Sequence, residues 1–125
     1  MLHSAFALAG RLLGGGKLSI LIYHQVFAET DPMRPSEPDA ACFDWQMQLL
    51  ARYYTPLSLT AALEHLAAGT LPANAVCVTF DDGYLNNLTV AQPILAKYGI
   101  PATVYVATAF SHGCNMWNDR IQDLC

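Results

Sequence analysis

The stretch AVCVTFDDGYLNN, residues 75–87, decides how the chain is read. Its opening residues form an apolar run of strand-like character that leads straight into Asp81 and Asp82. Side chains alternate along a strand, so Val76, Val78 and Phe80 share one face, while Cys77, Thr79 and Asp81 share the other. The first face is bulky and suits packing under helices; the second is small or polar and ends in a carboxylate. Asp82 comes where the chain leaves the strand, and Gly83 relaxes the backbone limits on the turn. Both carboxylates can therefore reach one mouth at the C-terminal end of the strand. Adjacent like charges resist joint ionisation unless a cation or hydrogen-bond donors compensate them. A divalent metal resolves the conflict if one Asp is its ligand and the other stays free as a base. Asp-Asp-Gly is also ordinary turn chemistry, and taken alone it reads as a turn. The strand before it and the Asn-rich turn after it move the reading towards function.

Working outward, apolar runs alternate with amphipathic ones. KLSILIYHQV (17–26) reads as a strand buried on both sides of a parallel sheet. AETDPMRPSEPDA (28–40) carries three prolines and no periodicity, and reads as a loop over a mouth. Asp39 is placed to cap a helix with Phe43, Met47, Leu50 and Tyr54 in one stripe. Ser58 or Thr60 caps a second helix, with Leu59, Leu63 and Leu66 on its buried side and Gly69 and Pro72 at its end. After the Asp-Asp-Gly turn come a helix over TVAQPILAKY, stopped by Gly99 and Pro101, and a strand over residues 102–108. Pro93 is tolerable if it falls in the first turn of that helix and kinks the helix otherwise. The final residues open a loop and a helical pattern. Repeated strand–helix alternation with short connections predicts an α/β fold with parallel strands, either doubly wound or a (β/α) barrel. The strands are too few to close a barrel.

Of the 125 residues, 54% are hydrophobic and 13% charged. An ordinary globular protein carries about 25% charged residues, so the chain reads as part of a larger body whose faces are covered. The net charge of −4 and the absence of a basic cluster argue against nucleic acid or an anionic membrane surface as partner. Cys42, Cys77, Cys114 and Cys125 show no metal-binding or disulfide spacing and read as buried free thiols. Residues 1–16 form a separate N-terminal segment, with residues 17–125 as the domain portion. No basic residue precedes Ala7-Leu8-Ala9, and the apolar run there is too short for a signal peptide core. Arg11 and the triple glycine interrupt any span of the roughly 20 residues a membrane helix needs. A membrane-surface helix is the runner-up for this segment, and the cytoplasm is the default compartment.

These residues resemble a family. VTFDDGY is similar to the first motif of the polysaccharide deacetylases, the NodB-homology group of carbohydrate esterase family 4. LIYHQV resembles the first-strand Tyr-His pattern, and NNLTVAQPILAKYGIPATVYVAT resembles the helix and strand that come after the motif. MWNDRI resembles a branch with an extended insertion after that strand. The resemblance implies a partial (β/α) barrel of the deacetylase type, not completed by this chain. It implies hydrolysis of acetyl groups from a polysaccharide or glycan with the help of a divalent metal, usually zinc. Asp81 would be the catalytic base that takes a proton from water, Asp82 the metal ligand, and His24 a residue lining the site.

The resemblance also calls for a His-Ser/Thr-x-x-His pair, whose spacing sets both imidazoles on one helical face. The histidines here are His3, His24, His65 and His112, and no two stand four apart. A single Asp does not hold a catalytic zinc, which takes three protein ligands. The expectation is an N-terminal part of a deacetylase, incomplete and inactive alone. Two other classes compete with it. One is a degenerate carbohydrate-binding or scaffold domain that kept the turn for structure. The other is a Mg²⁺-dependent phosphoryl-transfer protein, which would want a lysine on a later strand, whereas Lys97 falls in a helix.

Overall fold

The computed structural model describes residues 16–122 and 124. Four parallel strands are built around β3 (Ala75–Phe80). One flank of β3 is paired along its whole length with β1 (Leu18–Tyr23), in register from Leu18 opposite Ala75 to Tyr23 opposite Phe80. The other flank is shared. β2 (Thr55–Pro56) pairs with the start of β3 and β4 (Ala102–Val104) with its end. All six residues of β3 are buried, as expected of a central parallel strand. The sheet of the described residues is open and not closed into a barrel.

Helix α1 (Ala40–Tyr53) begins where Asp39 accepts the Cys42 amide N–H at 2.8 Å, as the capping pattern predicts. Its buried residues are Phe43, Met47 and Leu50, one face at helical spacing. They pack on Val76, Val78 and Phe80 of β3 and on Leu95 of α3 (Gln92–Tyr98). Tyr54 drops out of the predicted stripe: it sits past the helix end in extended backbone, 46% exposed. α3 is tied to α1 from outside by Lys97 Nζ donating to Asp44 at 2.7 Å and Tyr98 Oη donating to the other Asp44 oxygen at 3.0 Å. Gly99, at φ 63°, ends α3 in the left-handed conformation that favours glycine. Pro93 lies in the first turn of α3, where it removes no interior hydrogen bond. That helix is preceded by a π-helical turn, Asn87–Ala91, which the sequence pattern did not distinguish from α-helix.

Three expectations need correction. β1 is not buried on both faces. Leu21 and Tyr23 pack on the core, but Ile20 and Ile22 are 47% and 62% exposed, because β1 is an edge strand of the described sheet and its second face is not covered. In α2 (Leu59–Ala67), capped by Ser58 through the Ala61 amide, Ala62 is the buried residue while Leu63 and Leu66 are exposed. The helix approaches the sheet through its small side chain, and its leucine row turns outward. Finally, β4 ends at Val104 instead of running to 108.

Among the described cysteines, only Cys77 is buried, and burial pushes its thiol up; Cys42 and Cys114 are exposed. Cys125 lies outside the described residues, as does the N-terminal segment apart from Gly16. No helix of the described residues is long and apolar enough to cross a membrane.

Phe43 has no exposed surface and sits at the centre of the core, whereas Trp45 is 58% exposed. Phe43→Ala is expected to cost about 3–5 kcal/mol. Trp45→Ala should stay within about 0.5 kcal/mol of the parent. Urea unfolding followed by far-UV circular dichroism measures both.

Candidate functional site

The Asp-Asp-Gly turn leaves β3 between two neighbours that hold it by the backbone. Asp81 N–H donates to the Tyr23 carbonyl at 2.9 Å, which continues the β1 ladder by one residue. On the other flank, Tyr105 N–H donates to the Phe80 carbonyl at 2.8 Å and Ala107 N–H to the Asp82 carbonyl at 3.4 Å. Within this clasp Asp82 adopts φ 72°, a left-handed conformation that is unfavourable for a side chain other than glycine. Gly83 is next at φ 72°, and a Cβ there would come within 3.2–3.3 Å of Val106. The turn requires glycine at 83 and tolerates a strained aspartate at 82. Backbone strain held by surrounding structure is characteristic of functional sites.

A cavity of about 300 Å³ opens beside the turn, lined by His24, Asp82, Tyr84, Asn118 and Asp119 and walled by the loop around Arg34–Glu37. The structure thus brings Asp82 and His24 to one cavity. Asp81 is half-buried at its edge, outside the lining. His24 also lines an adjoining hollow of about 510 Å³ formed with Tyr23, the Pro35–Pro38 segment, Cys42 and Gln46. The other two described histidines lie elsewhere: His65 pairs with Thr70 at 2.9 Å, and His112 is an exposed loop residue.

The loop that walls the cavity has built-in order. Phe27 N–H donates to the Pro38 carbonyl at 3.0 Å, closing its two ends. Thr30 Oγ1 donates to Asp39 at 2.7 Å, Arg34 pairs with Asp31 at 2.8 Å, and Gln25 N–H reaches Glu37 at 3.2 Å. The Thr30 hydroxyl, then the Cys42 amide, hold the Asp39 carboxyl below its usual range. The Arg34 hydrogen bond, then the Met33 amide, do the same for Asp31.

Two cavity residues were not singled out from the sequence. Tyr84 Oη donates to Asp119 Oδ2 at 2.8 Å, joining positions 35 apart in the chain. Burial pushes the Tyr84 phenol up to about 12, assisted by the hydrogen bond to Asp119 and by the charges of Asp119 and then Asp82, with Asn118 opposing. Tyr84 stands inside the VTFDDGY motif, so its signal was available. Asp119 stands inside the MWNDRI segment, but its place beside Tyr84 depends on how α4 (Trp117–Gln122) folds back.

Among the described residues no three His, Cys, Asp or Glu side chains form a group that could hold a metal. Asp82 alone does not fit a catalytic zinc.

Residues 68–123 match the family model described as polysaccharide deacetylase. This part of the chain is similar to the polysaccharide deacetylases. The chain is 29% identical over 110 residues to the putative polysaccharide deacetylase YxkH of Bacillus subtilis (strain 168), covering 86% of this chain and 38% of that relative. Its fold matches that of the Streptococcus pyogenes deacetylase PplD in complex with acetate, with a TM-score of 0.66 and 29% identity over 86% of this chain and 51% of that one. A de-N-acetylase from Aggregatibacter actinomycetemcomitans gives a TM-score of 0.67 at 27% identity, over 78% of this chain and 40% of that one. IcaB from Ammonifex degensii gives 0.60 at 30% identity, over 71% and 37% respectively. The chain therefore spans about half or less of each of these relatives, and its open parallel sheet is the corresponding part of a NodB-type deacetylase fold.

The strained turn and the ordered loop can each be probed in solution. Asp82→Gly removes the left-handed strain and is expected to raise stability by about 1 kcal/mol in urea unfolding, as for a residue retained for chemistry over stability. The folded pKa values of Asp31 and Asp39 lie below their unfolded ones. Their contribution is complete above the ordinary carboxylate range near about 4 and fades as pH falls through the depressed values. The Cys42 amide resonance should hold steady from neutral pH down to that range and move below it. In Asp39→Ala it should be displaced throughout.

Proposed function

We propose that this chain carries the first catalytic motif of a metal-dependent carbohydrate deacetylase, acting on an acetylated polysaccharide or glycan. In this reading Asp81 is the base: it takes a proton from the water that attacks the acetyl carbonyl carbon. A new C–O bond forms, the bond from that carbon to the sugar nitrogen or oxygen breaks, and acetate leaves beside a freed amine or hydroxyl. Asp82 is a ligand of the divalent metal, zinc by the family pattern, and His24 lines the cavity where the acetyl group sits. The observation that supports this best is the left-handed Asp82, held by backbone bonds at the strand end and lining a cavity with His24.

The His-x-x-x-His spacing is absent from these 125 residues, and the described residues lack a complete ligand group. We therefore place the remaining metal ligands in sequence beyond these residues, with the 125-residue chain inactive alone.

The test uses the complete reading frame containing this sequence, assayed for acetate release from acetylated chitin oligosaccharides and for metal content. Asp81→Asn and Asp82→Ala should each abolish acetate release, and only Asp82→Ala should lose the metal. Retained activity in either variant overturns the reading. Intact glycan binding without acetate release in the parent would favour the scaffold alternative.

A further inference from the structure

The cavity contains a second buried carboxylate that the catalytic reading does not use. Asp119 is only 7% exposed, yet it lines the same cavity as Asp82 and His24. Its Oδ2 accepts the Tyr84 hydroxyl at 2.8 Å. Its Oδ1 has no hydrogen-bond partner among the described residues, and it is not one of the sealed, unsatisfied atoms of the interior. With one oxygen anchored and the other open to the cavity, the carboxylate presents an acceptor to whatever enters. The anchor itself is fixed, because Tyr84 comes directly after the strained turn and Gly83 is packed on Val106. The free oxygen is therefore preorganised beside Asp82. Binding pockets commonly fix ligand orientation with a few such polar groups.

We propose that Asp119 is a substrate-orienting residue of this cavity: Tyr84 fixes one carboxylate oxygen, and the other accepts a hydrogen bond from an N–H or O–H donor of the acetylated sugar. This rests on the deacetylase reading above. It adds a contact from the segment that Tyr84 ties to the cavity.

The experiment measures binding of N,N′-diacetylchitobiose to the 125-residue chain by NMR titration, in parallel with thermal melting. The parent should bind with shifts at the Asp119 and Tyr84 amides. Asp119→Ala should weaken binding by about tenfold or more, as expected for loss of a hydrogen bond to a charged group. Asp119→Asn is nearly isosteric. It still accepts from Tyr84, but it turns an NH₂ donor into the cavity, so it should lose affinity with little change in melting temperature. A purely structural Asp119 would leave the Asn variant binding normally, and that result overturns the proposal while the deacetylase reading stands. No binding by the parent overturns the inference, while acetate release by the complete reading frame decides the deacetylase reading separately. Cellobiose, which offers hydroxyls without an acetamido N–H, separates the two donors. Asp119-dependent binding of cellobiose assigns a hydroxyl, and binding restricted to the acetylated probe assigns the amide.

Discussion

Three aromatic rings hold the first two long strands and the first helix together. Tyr23 of β1 meets Phe43 of α1 edge-on at 5.1 Å and stacks on Phe80 of β3 at 5.6 Å, and Phe43 lies 6.0 Å from Phe80. Such pairs add about 0.5–1.5 kcal/mol beyond the area they bury. Tyr23 also donates its hydroxyl to Gln46 Oε1 at 2.9 Å, so its polar end is satisfied within the same contact. Burial, and secondarily Cys42, push its phenol up and keep it a donor.

This cluster matters to the site because two of its rings stand next in the chain to the site's own residues. His24 comes directly after Tyr23, and Asp81 directly after Phe80. A strand sends consecutive side chains to opposite faces, so anchoring both aromatics under the helices assigns their successors to the other face. The Asp81 N–H to Tyr23 carbonyl bond then locks the two strand ends in register. Hydrophobic burial on one side of the sheet thereby sets polar chemistry on the other.

The two neighbouring carboxylates solve their proximity differently. Asp81 still belongs to the ladder, whereas Asp82 has left it in a left-handed turn clasped by Ala107 and backed by Gly83 against Val106. Asp82 lines the cavity, and Asp81 is not among its lining residues. The strain at Asp82 is borne by the segment directly after β4, so the end of that strand supports the site as much as β3 does.

Sequence alone determined the class of fold, the strand over 75–80 with its alternating faces, the α1 stripe of Phe43, Met47 and Leu50, the cap at Asp39 and the stop at Gly99, while it left the second cap between Ser58 and Thr60. Each of these rests on local periodicity or on a residue's own backbone preference, which neighbours in sequence suffice to express. The family resemblance was carried by the same local motifs. Tertiary structure decided the rest. It left Ile20 and Ile22 uncovered, turned Leu63 and Leu66 outward, shortened β4 and opened a π-turn before α3, because covering layers and strand pairing are not encoded within any one segment. It also brought Asp119 to Tyr84 across 35 residues. No spacing rule links such positions, since only the folding of α4 back onto the turn makes them neighbours. The position of Asp82 lies between the two: Gly83 made a turn legible, but the left-handed aspartate exists because the chain leaving β4 holds it there.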